Sequence, residues 1–279
     1  GRFADGSRAN EQALDVQKRF DTVLRAQGVR ASGRWDAHHL HFLWYAALME
    51  GRTTLSLQTA RTFAERFGNE GDGFGEYAQL LPLATLVRLA RWDDVLAEPA
   101  PRPGLGLTEG FAAYARGMAH LNGGRLDRAK AELAHVQRLR NQPTLQRARM
   151  GDEDTPNKLM ALAHDTLAGS IARAERRHDE AATLLRKAAD LDDELGTDPP
   201  MVGGGSRLAL AGALLDAGKV DEAAKEIAEA LRLNGPSAWA HQGQAMLAEK
   251  RGAREEARRQ AKLAKAAWRN AEGGGVPRL

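Results

Sequence analysis

His38, His39 and His41, with Tyr45 one turn on, come nearest to a chemical constellation in this chain. On a helix, side chains three and four residues apart share a face, so His38, His41 and Tyr45 fall on one stripe and His39 points elsewhere. Two imidazoles at that spacing offer two ligands to a transition metal, provided another donor arrives from a different segment. The same pair could donate hydrogen bonds or serve as a general base. A histidine in an Ala/Leu-rich helix is more often a hydrogen-bonded packing residue, so the metal at His38 and His41 competes with a structural role.

Other polar groups carry less. His120, His135 and His164 fall on separate segments with no reason to converge. Asp190, Asp192, Asp193, Glu194 and Asp198 gather at a helix end, where carboxylates oppose the helix dipole and a local partner or a solvated end is expected. Their spacing is not that of a calcium loop. No phosphate-binding Gly-rich loop, H-E-x-x-H, G-x-S-x-G or dinucleotide fingerprint is present. The run Gly203-Gly204-Gly205 follows no strand pattern and is not read as a phosphate cradle. Catalytic residues are therefore not assigned, and no cofactor is expected apart from the metal alternative.

The chain of 279 residues is 43% hydrophobic and 28% charged, which describes a folded chain. Its 40 basic and 37 acidic residues are interspersed, leaving a net charge of +3. That balance reads as solvated helix faces and not as a nucleic-acid footprint. Arg138, Arg140, Arg147 and Arg149 form the densest basic stretch, without the interleaved aromatics that stack on bases. Zero cysteines exclude disulfides, thiolate metal sites and cysteine nucleophiles and leave the compartment open, the cytoplasm being slightly favoured. No apolar run approaches the roughly 20 residues that cross a bilayer. The sequence opens on Gly1-Arg2-Phe3 in what reads as the middle of a repeat, so residues are expected upstream, and any targeting segment or part of a site could lie among them.

The elements that must position these groups are helix pairs. Gly218 and Gly252 stand 34 residues apart, each after an Ala/Leu-rich segment and before an amphipathic one. Leu210, Ala211, Leu214, Ala223, Ile227 and Ala230 surround the first, and Ala245, Ala248, Ala257, Ala261 and Ala264 the second. Gly117, Gly124, Ala129 and Leu133 repeat the pattern upstream, as do Gly169, Ala181, Leu185 and Ala188 with a turn at Arg176-Arg177-His178. Two weaker units contain Leu40, Leu43, Gly51 and Ala60, then Leu83, Leu86 and a turn at Arg91-Trp92-Asp93. The longer steps around Ala181 put extra chain at 141–157 and 197–206, and such insertions map to loops on one face, often the binding face. Pro99, Pro101 and Pro103 exclude helix over 98–106. Trp35, Trp44, Trp92, Trp239 and Trp268 recur near helix ends, where an indole staples neighbours as core. No strand pattern is present.

These residues resemble the tetratricopeptide repeat (TPR) superfamily over most of the chain, most closely in the last two units. The segment His38-His39-Leu40-His41-Phe42-Leu43-Trp44, with Met49-Glu50-Gly51-Arg52 after it, is similar to a group of uncharacterised bacterial TPR proteins with an H-x-L-H-F-L segment. The group brings no established activity. The resemblance implies an all-α solenoid of about a dozen helices in antiparallel pairs forming a right-handed superhelix. It divides the chain into one helical-repeat domain over 1–272, with weaker repeats over 1–97, a Pro-rich connection over 98–106 and clearer repeats over 107–272, and a flexible tail over 273–279. Residues 249–265 become a capping helix with a wet outer face.

The resemblance also implies a concave wall built from the first helix of each pair. Counted back from Gly51 it holds His38, His41, Tyr45, Leu48 and Met49. From Ala90 it holds Tyr77, Leu80, Ala84, Val87 and Arg88, and from Gly124 Phe111, Tyr114, Met118, Leu121 and Asn122. Arg173 joins this wall, and all three tyrosines fall on it. The function this implies is a non-catalytic interaction or scaffold module that holds a peptide or protein segment in the aromatic-lined groove. The alternative is a metal- or small-ligand-binding protein, enzymatic or not, with its site around His38, His41 and Tyr45. A second alternative is self-assembly through the surface beside Phe3, Ala9 and Ala13.

Overall fold

A computed structural model of the chain describes residues 2–30, 34–69, 73–272 and 275–277, without the side chains of residues 34 and 35. Among the described residues there are fourteen helices. The first pairs are α1 (Phe3–Ala26) with α2 (Arg34–Glu50), and α3 (Thr53–Phe67) with α4 (Gly73–Arg88). A short α5 (Trp92–Ala97) leads to α6 (Gly106–Asn122) and α7 (Leu126–Arg140). One turn, α8 (Pro143–Gln146), precedes α9 (Thr155–Ala174) and α10 (His178–Leu195). The series closes with α11 (Ser206–Asp216), α12 (Val220–Asn234), α13 (Ala238–Lys250) and α14 (Arg254–Ala267). Successive helices pack on one another, so the fold is an all-α solenoid. The one β feature among the described residues is an isolated bridge between Met150 and Glu153.

The punctuation seen in the sequence is a repeated backbone turn. Six inner helices end on a left-handed residue: Gly51, Ala90, Gly124, Arg176, Gly218 and Gly252. In each, the next N–H reaches back to the carbonyl five residues before it, as from Arg125 to His120 and from Lys219 to Leu214 (2.8 and 2.9 Å). This is the Schellman stop, which satisfies two carbonyls and reverses the chain into the second helix. Glycine takes the conformation freely, whereas Ala90 (φ 53°) and Arg176 (φ 61°) carry a Cβ into it at a cost of about 1–2 kcal/mol.

Outer helices are amphipathic. α10 buries Ala181, Ala182, Leu185, Ala188 and Ala189, and α12 buries Ala223, Ile227 and Ala230. Each buried leucine contributes about 1.5–3 kcal/mol. The inner helices approach closely where the sequence places glycine: a Cβ on Gly117 would lie 2.5 Å from Leu167 Cδ2, and one on Gly169 2.7 Å from Leu185 Cγ. Trp44 and Trp239 are fully buried and Trp268 nearly so. Trp92 is partly buried, and the side chain of Trp35 lies outside the described residues.

The periodicity does not foretell that the two ends meet. Past α14, Trp268 Nε1 donates to Met49 O (3.1 Å) and Glu272 N to Gly51 O (3.0 Å). Thr54 N in turn donates to Glu272 Oε2 (2.7 Å). Buried Glu50 accepts from Ser7 Oγ and from Asn270 Nδ2. The last unit thus seats on the first turn, and the concave side becomes a partly enclosed interior instead of an open-ended groove.

Both insertions add to that enclosure. Segment 141–157 lies against the start of α4, where Gly73 N donates to Arg149 O (3.2 Å). Segment 197–206 folds inward: Met201 O accepts from Tyr77 Oη (2.9 Å), and Gly203 sits against Leu48. Segment 98–106 is non-helical up to Gly106, which opens α6. Of the tail expected to be flexible, residues 273, 274, 278 and 279 lie outside the described residues. Val276 packs on the core and accepts from Gln242 Nε2 (3.3 Å).

Candidate binding cavity

Inner helices α4, α6, α9, α11 and α13 surround a cavity of about 600 Å³. Helical periodicity selects its lining. α4 supplies Ala84, Val87 and Arg88; α6 supplies Phe111, Tyr114, Met118, Leu121 and Asn122; α9 supplies Leu162, Thr166, Ser170 and Arg173. Steps of three and four keep each set on one face. α11 adds Ala209 and Asp216, α13 adds Trp239, α5 adds Trp92, and Val202, Gly204, Gly205 and Pro277 complete the wall. An apolar, aromatic cavity of this size with a few polar groups is the usual form of a small-ligand site.

Arg88 is the main polar group. Its guanidinium carbon lies 4.0 Å from the centroid of the Trp239 ring. Its Nε is buried with no hydrogen-bond partner, and among the described residues no carboxylate comes within ion-pair distance. Burial pulls its pKa down to about 10, against the opposing pull of Tyr45, Asp192 and Tyr114, so it remains charged at neutral pH. Gly205 makes this packing feasible, because at φ +112° its ideal Cβ would stand 2.8 Å from Arg88 Cζ. Two further lining residues hold buried polar atoms without a protein partner, Thr166 Oγ1 and Trp239 Nε1. Arg173 is paired with Asp216 (2.6 Å). Burial raises the pKa of the Tyr114 hydroxyl and keeps it neutral.

Nine of the residues placed on the concave wall by the sequence line this cavity: Ala84, Val87, Arg88, Phe111, Tyr114, Met118, Leu121, Asn122 and Arg173. Tyr45 lies apart and borders, with Arg88 and Met49, a second cavity of about 30 Å³. His38, His41 and Tyr77 line neither. Tyr77 Oη has one proton, which it gives to Met201 O, so His41 must donate from Nε2 to Tyr77 Oη (2.7 Å). The imidazole stacks on Trp44 (5.3 Å between centroids, 6° apart) and lies against Phe63. Burial, with His38 one turn away, lowers its pKa to about 4. His41 is thus a neutral hydrogen-bond donor with its Nε2 committed. His38 packs on Phe42, and His39 Nδ1 contacts Asn10 (3.1 Å). Among the described residues no three His, Cys, Asp or Glu groups converge to hold a metal.

Of the acidic cluster, Asp193 pairs with Arg207 and Glu194 with Lys158, while Asp192 accepts from Ser206 N (3.4 Å). Burial raises the Asp192 pKa against the pull of Ser206. The sequence reading missed Thr166, Ser170, Trp92 and Trp239 as cavity residues, whereas the 197–206 insertion, expected on one face, contributes Val202, Gly204 and Gly205. A signal was present: the count used from Gly51 gives Thr166, Ser170 and Arg173 from Arg176, and Trp239 from Gly252.

No protein-family model matches the chain, and no curated protein or solved structure matches it either.

Proposed function

We propose that this protein is a non-catalytic binding module of the TPR-like kind that holds a compact ligand inside the solenoid. One observation carries the reading: the inner helices enclose about 600 Å³ lined by Trp92, Phe111, Tyr114 and Trp239, with an unpaired guanidinium at Arg88. A bounded cavity suits a small molecule or the projecting end of a partner chain better than a long extended segment. The expectation of a peptide along an open groove is narrowed accordingly. The site around His38, His41 and Tyr45 is set aside in favour of the cavity, because His41 is committed to Tyr77, whose hydroxyl is tied in turn to Met201 O. The test is a thermal-shift and native mass-spectrometry screen of small molecules on the wild type and on Met118→Trp, which fills the cavity. Ligands should bind the wild type and be lost in the variant, provided circular dichroism shows it folded. Equal binding to both proteins would end the reading.

A second reading, self-association, has its own observation. On α1 the apolar side chains Val16, Phe20 and Val23 are 55%, 55% and 54% exposed and recur at helical spacing. This stripe differs from the surface expected near Phe3, which packs on Tyr45 (6.1 Å). Sedimentation should show a concentration-dependent dimer in the wild type and a monomer in Phe20→Glu. A monomer at all concentrations in both would dismiss it.

A further inference from the structure

We infer that the cavity takes a small monocarboxylate with an apolar, ring-bearing body, the carboxylate seated on Arg88 and the body among Phe111, Tyr114 and Trp92. The inference rests on the binding-module reading and specifies its ligand. Three lining residues hold buried polar atoms with no protein partner: Arg88 Nε, Thr166 Oγ1 and Trp239 Nε1. Arg88 lines the cavity and its guanidinium carries only donors, so the group that complements it there is an acceptor.

The acceptor carries charge because the Arg88 guanidinium has a ring beneath it but no carboxylate within ion-pair distance among the described residues. Asp192 acts on it only from farther away and accepts from Ser206 N. A single negative charge is indicated. Arg173 is paired with Asp216, so Arg88 is the one lining cation without a carboxylate at ion-pair distance among the described residues, and with Asp192 already nearby a phosphate dianion would bury negative charge in excess. A planar carboxylate also matches the donor fork of a guanidinium held over the Trp239 ring. Beside Asn122, Ser170 and Ser206, the rest of the lining is mostly apolar or aromatic, which calls for a largely hydrophobic body.

The test uses matched pairs: indole-3-acetate, 3-phenylpropanoate and 1-naphthoate, each beside its primary amide, with phenyl phosphate as the dianion. Affinities come from calorimetry on the whole chain, the wild type against Arg88→Met and Thr166→Val. At least one acid should bind about tenfold or more tighter than its amide, as a charge-assisted hydrogen bond implies. In Arg88→Met that preference should fall to about one, while the amide still binds, which shows that the variant's cavity is intact. Thr166→Val should weaken the acid several-fold. Amides binding as tightly as acids, or phenyl phosphate binding tightest, would overturn the carboxylate and leave the cavity reading standing. No binding by any probe would overturn both.

Discussion

His41 makes the stability of this fold depend on pH in a calculable way. The imidazole is neutral in the folded protein, with its pKa down from the ordinary 6.5 to about 4 because of its burial and of His38 nearby. The unfolded chain therefore binds the proton more tightly, and stability falls as pH drops through the interval from 6.5 to 4. At about 1.4 kcal/mol for each tenfold change in proton affinity, the whole interval is worth about 3 kcal/mol. About 2 kcal/mol of that is lost between pH 7 and pH 5. The comparison is with His41→Gln, whose amide can keep the donation to Tyr77 but does not titrate. Urea unfolding at pH 7, 6 and 5 should show the wild type losing about 2 kcal/mol more than the variant over that range. Nitrogen chemical shifts of the His41 ring should show the Nε2-protonated neutral tautomer throughout. A wild-type-minus-variant difference that stays constant with pH, or a ring that charges near pH 6.5, would refute the buried-donor assignment.

The remaining predictions concern the frame. Gly117→Ala improves helix propensity by about 1 kcal/mol, yet its Cβ meets fully buried Leu167 at 2.5 Å. Overpacking should win, with a net destabilisation of about 1–2 kcal/mol in chemical denaturation; a stabilised variant would contradict the close α6–α9 approach. Ala90→Gly relieves a left-handed alanine and should raise stability by about 0.5–1 kcal/mol after the entropic cost of glycine, read from the melting temperature. Trp268→Ala removes the edge contact with Trp239 (4.9 Å) and the hydrogen bond to Met49 O, costing about 3–5 kcal/mol. It should also free the turn near Gly51, so hydrogen exchange at Thr54, whose amide is held by Glu272, accelerates beyond the global effect. Uniform exchange would argue against closure at that seam.

The sequence by itself determined the helix pairs, their turns and most of the inner face. Glycine at 51, 124, 218 and 252 is legible because it takes the left-handed stop without the cost that a Cβ carries at Ala90 and Arg176. Phe111, Tyr114 and Met118 share a face because a helix aligns residues three and four apart, and the TPR resemblance implied that this face is the inner one. Only the tertiary structure decided that the ends meet, since Trp268 and Met49 lie 219 residues apart and their meeting depends on the rotation accumulated over every repeat and insertion between them. The same summation folded segment 197–206 onto Tyr77, which turned His41 from a candidate ligand into a buried donor. Composition counts charges but not what lies within 4 Å of each. The isolation of Arg88 therefore became visible only once α4, α13 and the Gly205 loop were in place around it, with no carboxylate among them.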